Sequence, residues 1–156
     1  MITICIATSE DYHAVNNLVK EGHEEHAKEV PTVFKNVASV MPEAYYRELL
    51  ESSNSTVLLA KNQESIIGFA VISVESSPPF DSLIQRQYAY IHDFGVKKNV
   101  QKQGVGKLLF TACVNWAKTM NVTSIELNVW EFNKNAIDFY KHLGLESMSR
   151  KMAITI

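Results

Sequence analysis

The segment Gln101-Lys102-Gln103-Gly104-Val105-Gly106 constrains this chain most, because it follows a β-branched and aromatic run from Tyr88 to Val96 and leads directly into helical periodicity. Strand, glycine-rich turn and helix, in that order, make an anion cradle. Glycines let the backbone approach a ligand without Cβ obstruction, and the unpaired N–H groups of the first helical turn point at it along the helix dipole. Spacing excludes the two common nucleotide loops. A Walker A loop needs glycine where Gln101 stands and Ser or Thr where Leu108 stands. A dinucleotide fingerprint beginning at Gly104 needs a third glycine where Leu109 stands. The remaining readings are a phosphorylated ligand held by another glycine pattern, or an ordinary glycine turn at a helix start.

A second segment reads the same way: Val129-x-x-x-Asn133-x-x-Ala136-x-x-x-Tyr140-x-x-x-Gly144-Leu145. Ile125, Leu127 and Val129 alternate as in a strand, Asn133 is a good helix N-cap, and Gly144 is placed to end the helix. Ala136, Tyr140 and Leu143 share one face of that helix, so Tyr140 is aimed inward.

On these two segments, in this order, the chain resembles the GNAT family of N-acetyltransferases. Gln101, Gly104 and Gly106 match the family's Q/R-x-x-G-x-G/A loop. Asn133, Ala136, Tyr140, Gly144 and Leu145 match its N-x-x-A-x-x-x-Y-x-x-x-G-F/L stretch. The run from Tyr90 to Val96 is similar to the fourth strand of the small diamine-acetyltransferase-like members. The resemblance implies an α/β fold with a mixed, mostly antiparallel sheet of six to seven strands and about four helices. The sheet would open as a V between strands 4 and 5.

It also implies acetyl-CoA as the cofactor and a primary amine as acceptor. Gln101, Lys102, Gln103, Gly104, Val105, Gly106 and Lys107 would then hold the pyrophosphate. The backbone of Phe94 and Val96 would pair with the pantetheine arm, Asn133 would stand on the cofactor side, and Tyr140 would protonate the leaving thiolate. On its residues alone, Tyr140 reads equally as core, and Asn133 as only a cap. Gly95 inside a strand marks a bulge or a close approach, or relieves packing. Direct attack of a neutral amine on the thioester needs oxyanion donors and a proton acceptor but no covalent intermediate, so no Ser-His-Asp or Cys-His set is required.

The expected base lies on the fourth strand. His92 and Asp93 fall on opposite faces of a regular strand, so at most one faces the acetyl group, and His92 shares its face with Tyr90 and Phe94. His92 is the expected base, since histidine titrates near neutrality, although diamine-type relatives often carry Glu there. The acceptor pocket is expected from the first two helices and the loop between them. Val15, Leu18, Val19, Gly22 and His26 follow helical spacing, with His23 near the edge of that face. His23, His26, Phe34, Tyr45 and Tyr90 are the candidate acceptor contacts with His92, and Tyr46 is a further aromatic wall. Glu21, Glu24, Glu25 and Glu29 form either an amine-attracting cluster or a solvated face.

Size and charge agree with one N-acetyltransferase domain over 1–156. A chain of 156 residues with 46% hydrophobic and 21% charged residues can bury a real core. A net charge of −2 gives no support to a nucleic-acid partner. There is no apolar run of about 18 residues and no signal-peptide start, so no membrane partner is expected and the cytoplasm is the expected compartment. Cys5 and Cys113 lack metal or disulfide spacing, and H-E-x-x-H is absent, so no metal is expected. Homodimerisation, common among members of the family, is expected. The alternatives are acetylation of a protein or peptide amine, and a non-catalytic sensor of acyl-CoA.

The predicted elements are a strand at 2–7, a helix from Ser9 or Asp11 towards Glu29, and a second helix from near Pro42 through Leu50. A hairpin turns around Asn62-Gln63-Glu64, and the Tyr88 strand follows. A helix from Gly104 to about Thr119, a strand from Ser124, the Asn133 helix and a last strand near Met148 to Ile154 complete the series.

Overall fold

Residues 55–62 and 65–76 are nearly continuous apolar runs, as strands covered on both faces must be. The computed structural model, which describes residues 1–156, places them at the sheet centre as β2 (Ser55–Asn62) and β3 (Ser65–Ser76). Gln63 adopts φ 56° in the tight turn between them. The other elements are β1 (Ile2–Ile6), α1 (Tyr12–Glu29), α2 (Glu43–Glu51), β4 (Gln87–Val96), α3 (Val105–Thr119), β5 (Ile125–Leu127) and α4 (Lys134–His142). The sheet runs β1-β2-β3-β4-β5 and is antiparallel except for the parallel β4–β5 pair.

Alternation along the strands divides the core. Val57, Leu59, Phe69 and Val71 face α1 and α2, where they bury Val15, Leu18, Val19, Tyr46 and Leu49. Leu58, Ala70, Ile72, Ala89 and Ile91 face α3 and bury Leu109, Phe110, Cys113 and Ala117. Two phenols tie the first layer down. Tyr12 donates to the Met41 carbonyl and Tyr46 to the Thr8 carbonyl, each at 2.6 Å. Burial, helped by the nearby Asp11 charge, pushes the Tyr46 phenol up to about 12.

The sheet opens where the sequence places the V. β4 and β5 pair only from Ala89–Ile91 to Ile125–Leu127, and beyond that they part. The strand count is five rather than six or seven. Val129 lies outside β5, and the strand expected near Met148–Ile154 does not form. That segment has strand-like alternation, but a strand also needs a ladder partner, and residues 146–156 make no backbone hydrogen bond within the chain.

β4 carries the decisive irregularity. Asp93 stands opposite Val71 and Ile91 opposite Ile72, so His92 is an extra residue without a partner. The bulge lies there and not at Gly95. Gly95 answers to packing: a Cβ built on it would stand 2.8 Å from Cε1 of Phe69, which is itself 1% exposed. Gly95→Ala is expected to destabilise the fold by about 1–3 kcal/mol, because the core has no room for the methyl. The measurement is the urea midpoint, and an unchanged midpoint would show that Phe69 moves freely.

Candidate active site

The anion loop is built by the backbone. Lys102 has φ 65° and Gly104 φ 84°, and these left-handed residues curl the chain into a concave turn before α3. No side chain caps that helix. Its first backbone bond runs from the Leu108 N–H to the Gly104 carbonyl at 3.1 Å, which leaves the N–H groups of Val105, Gly106 and Lys107 free to hold an anion. Two bonds fix the loop. Gln101 Nε2 donates to the Val96 carbonyl at 3.0 Å, and the Lys98 amide donates to the Glu21 carboxylate on α1 at 2.7 Å. Lys102, Gln103 and Lys107 are exposed along its rim. These residues fit a pyrophosphate.

The two glycines do different work. Gly104 supplies the left-handed turn and has nothing within 4 Å of a built Cβ. Gly106 instead admits a ring from α4: its Cβ would stand 3.0 Å from Cζ of Phe139. The second glycine therefore serves helix packing as well as ligand approach. Asn133 caps α4 by accepting from the Ala136 N–H at 3.2 Å. Tyr140 on that helix is half-buried, with its ring 6.1 Å from Phe94 and 5.3 Å from Phe139.

The bulge at His92 redistributes the side chains of β4. A single inserted residue turns every later side chain to the other face. The expectation that His92 and Asp93 oppose each other is therefore corrected, since both lie on the α1–α2 face. Phe94 passes to the other face, with its ring 6.5 Å from Phe110 and 5.8 Å from Phe139, and no longer shares a side with His92 and Tyr90. Val96 packs at the far end of the same opening, beside Ala60 and Val105.

Asp93 keeps some accessible surface, yet burial pushes its carboxyl up from the ordinary 3.8 to about 6. The Phe94 amide, at 3.0 Å, and the His26 and His23 rings pull it partly back. Burial also raises Tyr45 and carries Tyr140 well above the ordinary phenol range, with the Asp93 charge adding to both and the Cys113 thiol adding to Tyr140. Asp93, Tyr45, Tyr140, His23 and His26 thus share one electrostatic site where β4 leaves β5. Cys113 is fully buried, and its thiol is pushed up to about 12, which leaves it inert.

Around this carboxyl stands an aromatic wall. The His26 ring lies 5.5 Å from Phe34 and 5.2 Å from Phe132, and Phe34 lies 5.4 Å from Trp130. These rings join α1, the segment after it and the β5–α4 connection. His23 Nε2 meets the Lys35 carbonyl at 2.6 Å and its ring lies 5.7 Å from Phe34, while His26 Nδ1 meets the Gly22 carbonyl at 2.9 Å. His92 belongs to a neighbouring polar group. Its Nε2 is 2.6 Å from Ser73 Oγ and 3.5 Å from Glu75 Oε1, Ser73 donates to Glu75 at 2.7 Å, and the Tyr90 ring is 4.9 Å away. Asn128 donates to the Tyr90 hydroxyl at 2.8 Å.

Sequence reasoning missed Trp130, Phe132, Ser73 and Glu75. Trp130 and Phe132 could have been found as the aromatic residues just ahead of the Asn133 cap. Ser73 and Glu75 give no local signal, because only the β3–β4 register brings them to His92.

The sheet parts between its fourth and fifth strands, with a backbone anion loop at one side of the gap and the desolvated Asp93 carboxyl and the Tyr140 phenol near it. The model of the acetyltransferase (GNAT) family matches residues 19–145, and the chain belongs to that family. L-ornithine N5-acetyltransferase NATA1 of Arabidopsis thaliana is 35% identical over 69 residues, 44% of this chain and 30% of the plant protein. The uncharacterized N-acetyltransferase YhfO of Bacillus subtilis is 25% identical over 67% of both chains. The chain thus matches only about a third of the plant relative's length.

Among solved structures, a tetramutant of the BH1408 protein from Bacillus halodurans is 30% identical, with a TM-score of 0.94 over 99% of both chains. Aminoglycoside N-acetyltransferase AAC(6')-Iy in complex with CoA shares the fold, at 15% identity and a TM-score of 0.74 over 100% of this chain and 95% of that one.

Asp93 has a measurable signature. Its folded-state pKa is raised, so the native protein holds a proton that the unfolded chain has lost between about pH 4 and 6, and stability falls as pH rises through that window. Asp93→Asn removes this cost and is expected to stabilise the protein by about 1–3 kcal/mol at pH 7.5. The gain should vanish below about pH 4. Urea unfolding at the two pH values reads the difference, and a variant less stable at pH 7.5 would place the carboxylate in a net favourable pairing.

Proposed function

We propose that this protein is an acetyl-CoA-dependent N-acetyltransferase acting on the primary amine of a small molecule by direct attack. One observation carries the reading: where β4 and β5 part, the Tyr140 phenol lies within reach of the Asp93 charge, and the α3 N-terminus keeps its first amides free. When bound, acetyl-CoA supplies an activated acetyl thioester. Gln101 to Lys107 hold its pyrophosphate, chiefly through the N–H groups of Val105, Gly106 and Lys107. The backbone of Phe94 and Val96 lines the gap for the pantetheine arm, and Asn133 keeps α4 at its far wall.

Asp93 draws the acceptor's ammonium into the aromatic enclosure of His26, Phe34, Trp130 and Phe132. With its carboxyl at about 6, it is largely ionised at neutral pH and basic enough to take the proton the amine loses. Tyr140 keeps its proton until it is needed, because burial disfavours the phenolate, and delivers that proton from its hydroxyl to the leaving sulfur. Tyr45 closes the α2 side of the enclosure. His92, Tyr90, Ser73 and Glu75 form an adjoining polar rim that contacts the rest of the acceptor. A rim with a carboxylate and a ring of aromatic faces suits a small amine, through charge and cation–π attraction.

Thiol release from acetyl-CoA, measured against a panel of small amines, tests the activity, and amine-independent CoA binding alone would favour a sensor. Tyr140→Phe is expected to lower kcat by about 10²–10⁴-fold with CoA affinity retained. Activity should rise with pH through a limb near 6, and Asp93→Asn should abolish that limb. His92→Ala is expected to raise KM and keep the limb. Loss of the limb in that variant would return the base to His92.

A further inference from the structure

The acidic run of α1 is not uniform. Glu24, Glu25 and Glu29 are exposed, whereas Glu21 is half-buried and meets the segment that leads into the anion loop, 77 residues away in sequence. Its Oε1 accepts the Lys98 amide at 2.7 Å, a short bond from a backbone N–H to a full charge. No other hydrogen bond joins α1 to residues 97–107.

Lys98 opens a single 3₁₀ turn, Lys98–Val100, which carries the chain from β4 towards the loop. The first amide of such a turn has no partner inside it, so an acceptor must come from outside. The bonds within the segment are few: the Val100 N–H reaches the Lys97 carbonyl at 3.0 Å and the Gln101 N–H reaches the Lys98 carbonyl at 3.4 Å. Yet Lys102, just beyond, is held at φ 65°, a left-handed conformation that a lysine keeps only where its surroundings fix it. The Gln101 side chain on the Val96 carbonyl is a local brace, and Glu21 is the one from another layer of the fold.

The charge of this brace is itself informative. A carboxylate beside a loop that receives a pyrophosphate repels the ligand, so by Coulomb's law alone Glu21 works against binding. What it holds, and not its charge, accounts for its place there.

We propose that Glu21 is a positioning residue for the cofactor, a role that rests on the pyrophosphate lying at that loop. By accepting the Lys98 amide it fixes the entry to the loop, so that the free N–H groups of Val105, Gly106 and Lys107 meet the pyrophosphate of CoA. His23 and His26 follow Glu21 on α1, so the same bond ties the cofactor loop to the helix that walls the acceptor enclosure.

The test is calorimetric binding of CoA, without any acceptor, to the wild type and to Glu21→Ala, Glu21→Gln, Glu25→Ala and Gly104→Val. Alanine suits a helix and Glu21 lies outside the core, with circular dichroism as the check on folding. Glu21→Ala is expected to weaken CoA about 10-fold. Glu21→Gln, whose amide oxygen still accepts the Lys98 N–H, should stay within about twofold of the wild type. Glu25→Ala removes the same charge on the next turn and should not weaken CoA. Gly104→Val denies the loop its left-handed residue and tests the loop whatever Glu21 does. Unweakened binding in both Gly104→Val and Glu21→Ala would overturn the loop as the pyrophosphate site, and the role of Glu21 with it. Weakened binding in Gly104→Val, with Glu21→Ala as tight as the wild type or tighter, would overturn the role of Glu21 alone. Equal losses in Glu21→Ala and Glu21→Gln would do the same.

Discussion

The site depends on one extra residue in β4. Strand side chains alternate with period two, so the unpaired His92 shifts the phase of everything after it. Before the bulge, Ala89 and Ile91 lie in the α3 core. After it, Asp93 and Gly95 face α1 and α2, and Phe94 turns toward α3 and α4. A regular strand would press a carboxyl into the apolar α3 core and leave the α1 side without a charge. The bulge also coincides with the place where β4 leaves β5, so the carboxyl and the gap appear together.

The surrounding elements serve that point in different ways. α3 contributes its N-terminus, and the left-handed residues Lys102 and Gly104 aim the chain so that its first amides stay free. α4 contributes two neighbouring rings: Phe139 occupies the space left by Gly106, and Tyr140 stands against Phe94 and Phe139 within reach of the Asp93 charge. α1 contributes His23 and His26, whose rings are held by carbonyls and reach the carboxyl only electrostatically. The price of this arrangement is a desolvated Asp93 carboxyl, whose charged form is disfavoured.

Much of this was legible in the residues. The order of strands and helices as far as α4 and the hairpin at Asn62–Glu64 follow from short-range patterns, and the structure agrees with them. Such patterns work because turn conformation, capping and amphipathic spacing are local properties. The reading lost accuracy where partners are distant in sequence. A regular alternation for β4 was assumed, and only the Val71–Asp93 register reveals the bulge. Trp130 and Phe132 join His26 and Phe34 across a hundred residues of chain, beyond the reach of local pattern.

The sequence by itself determined the family resemblance, the backbone chemistry of the anion loop and the element that carries each candidate residue, because these depend on glycine positions, caps and periodicity. Tertiary structure alone decided which carboxyl enters the cleft, since one unpaired residue inverts the faces of β4. It also decided the fate of the last alternating segment. Alternation makes residues 146–156 able to form a strand, but a strand exists only where another backbone offers its donors and acceptors.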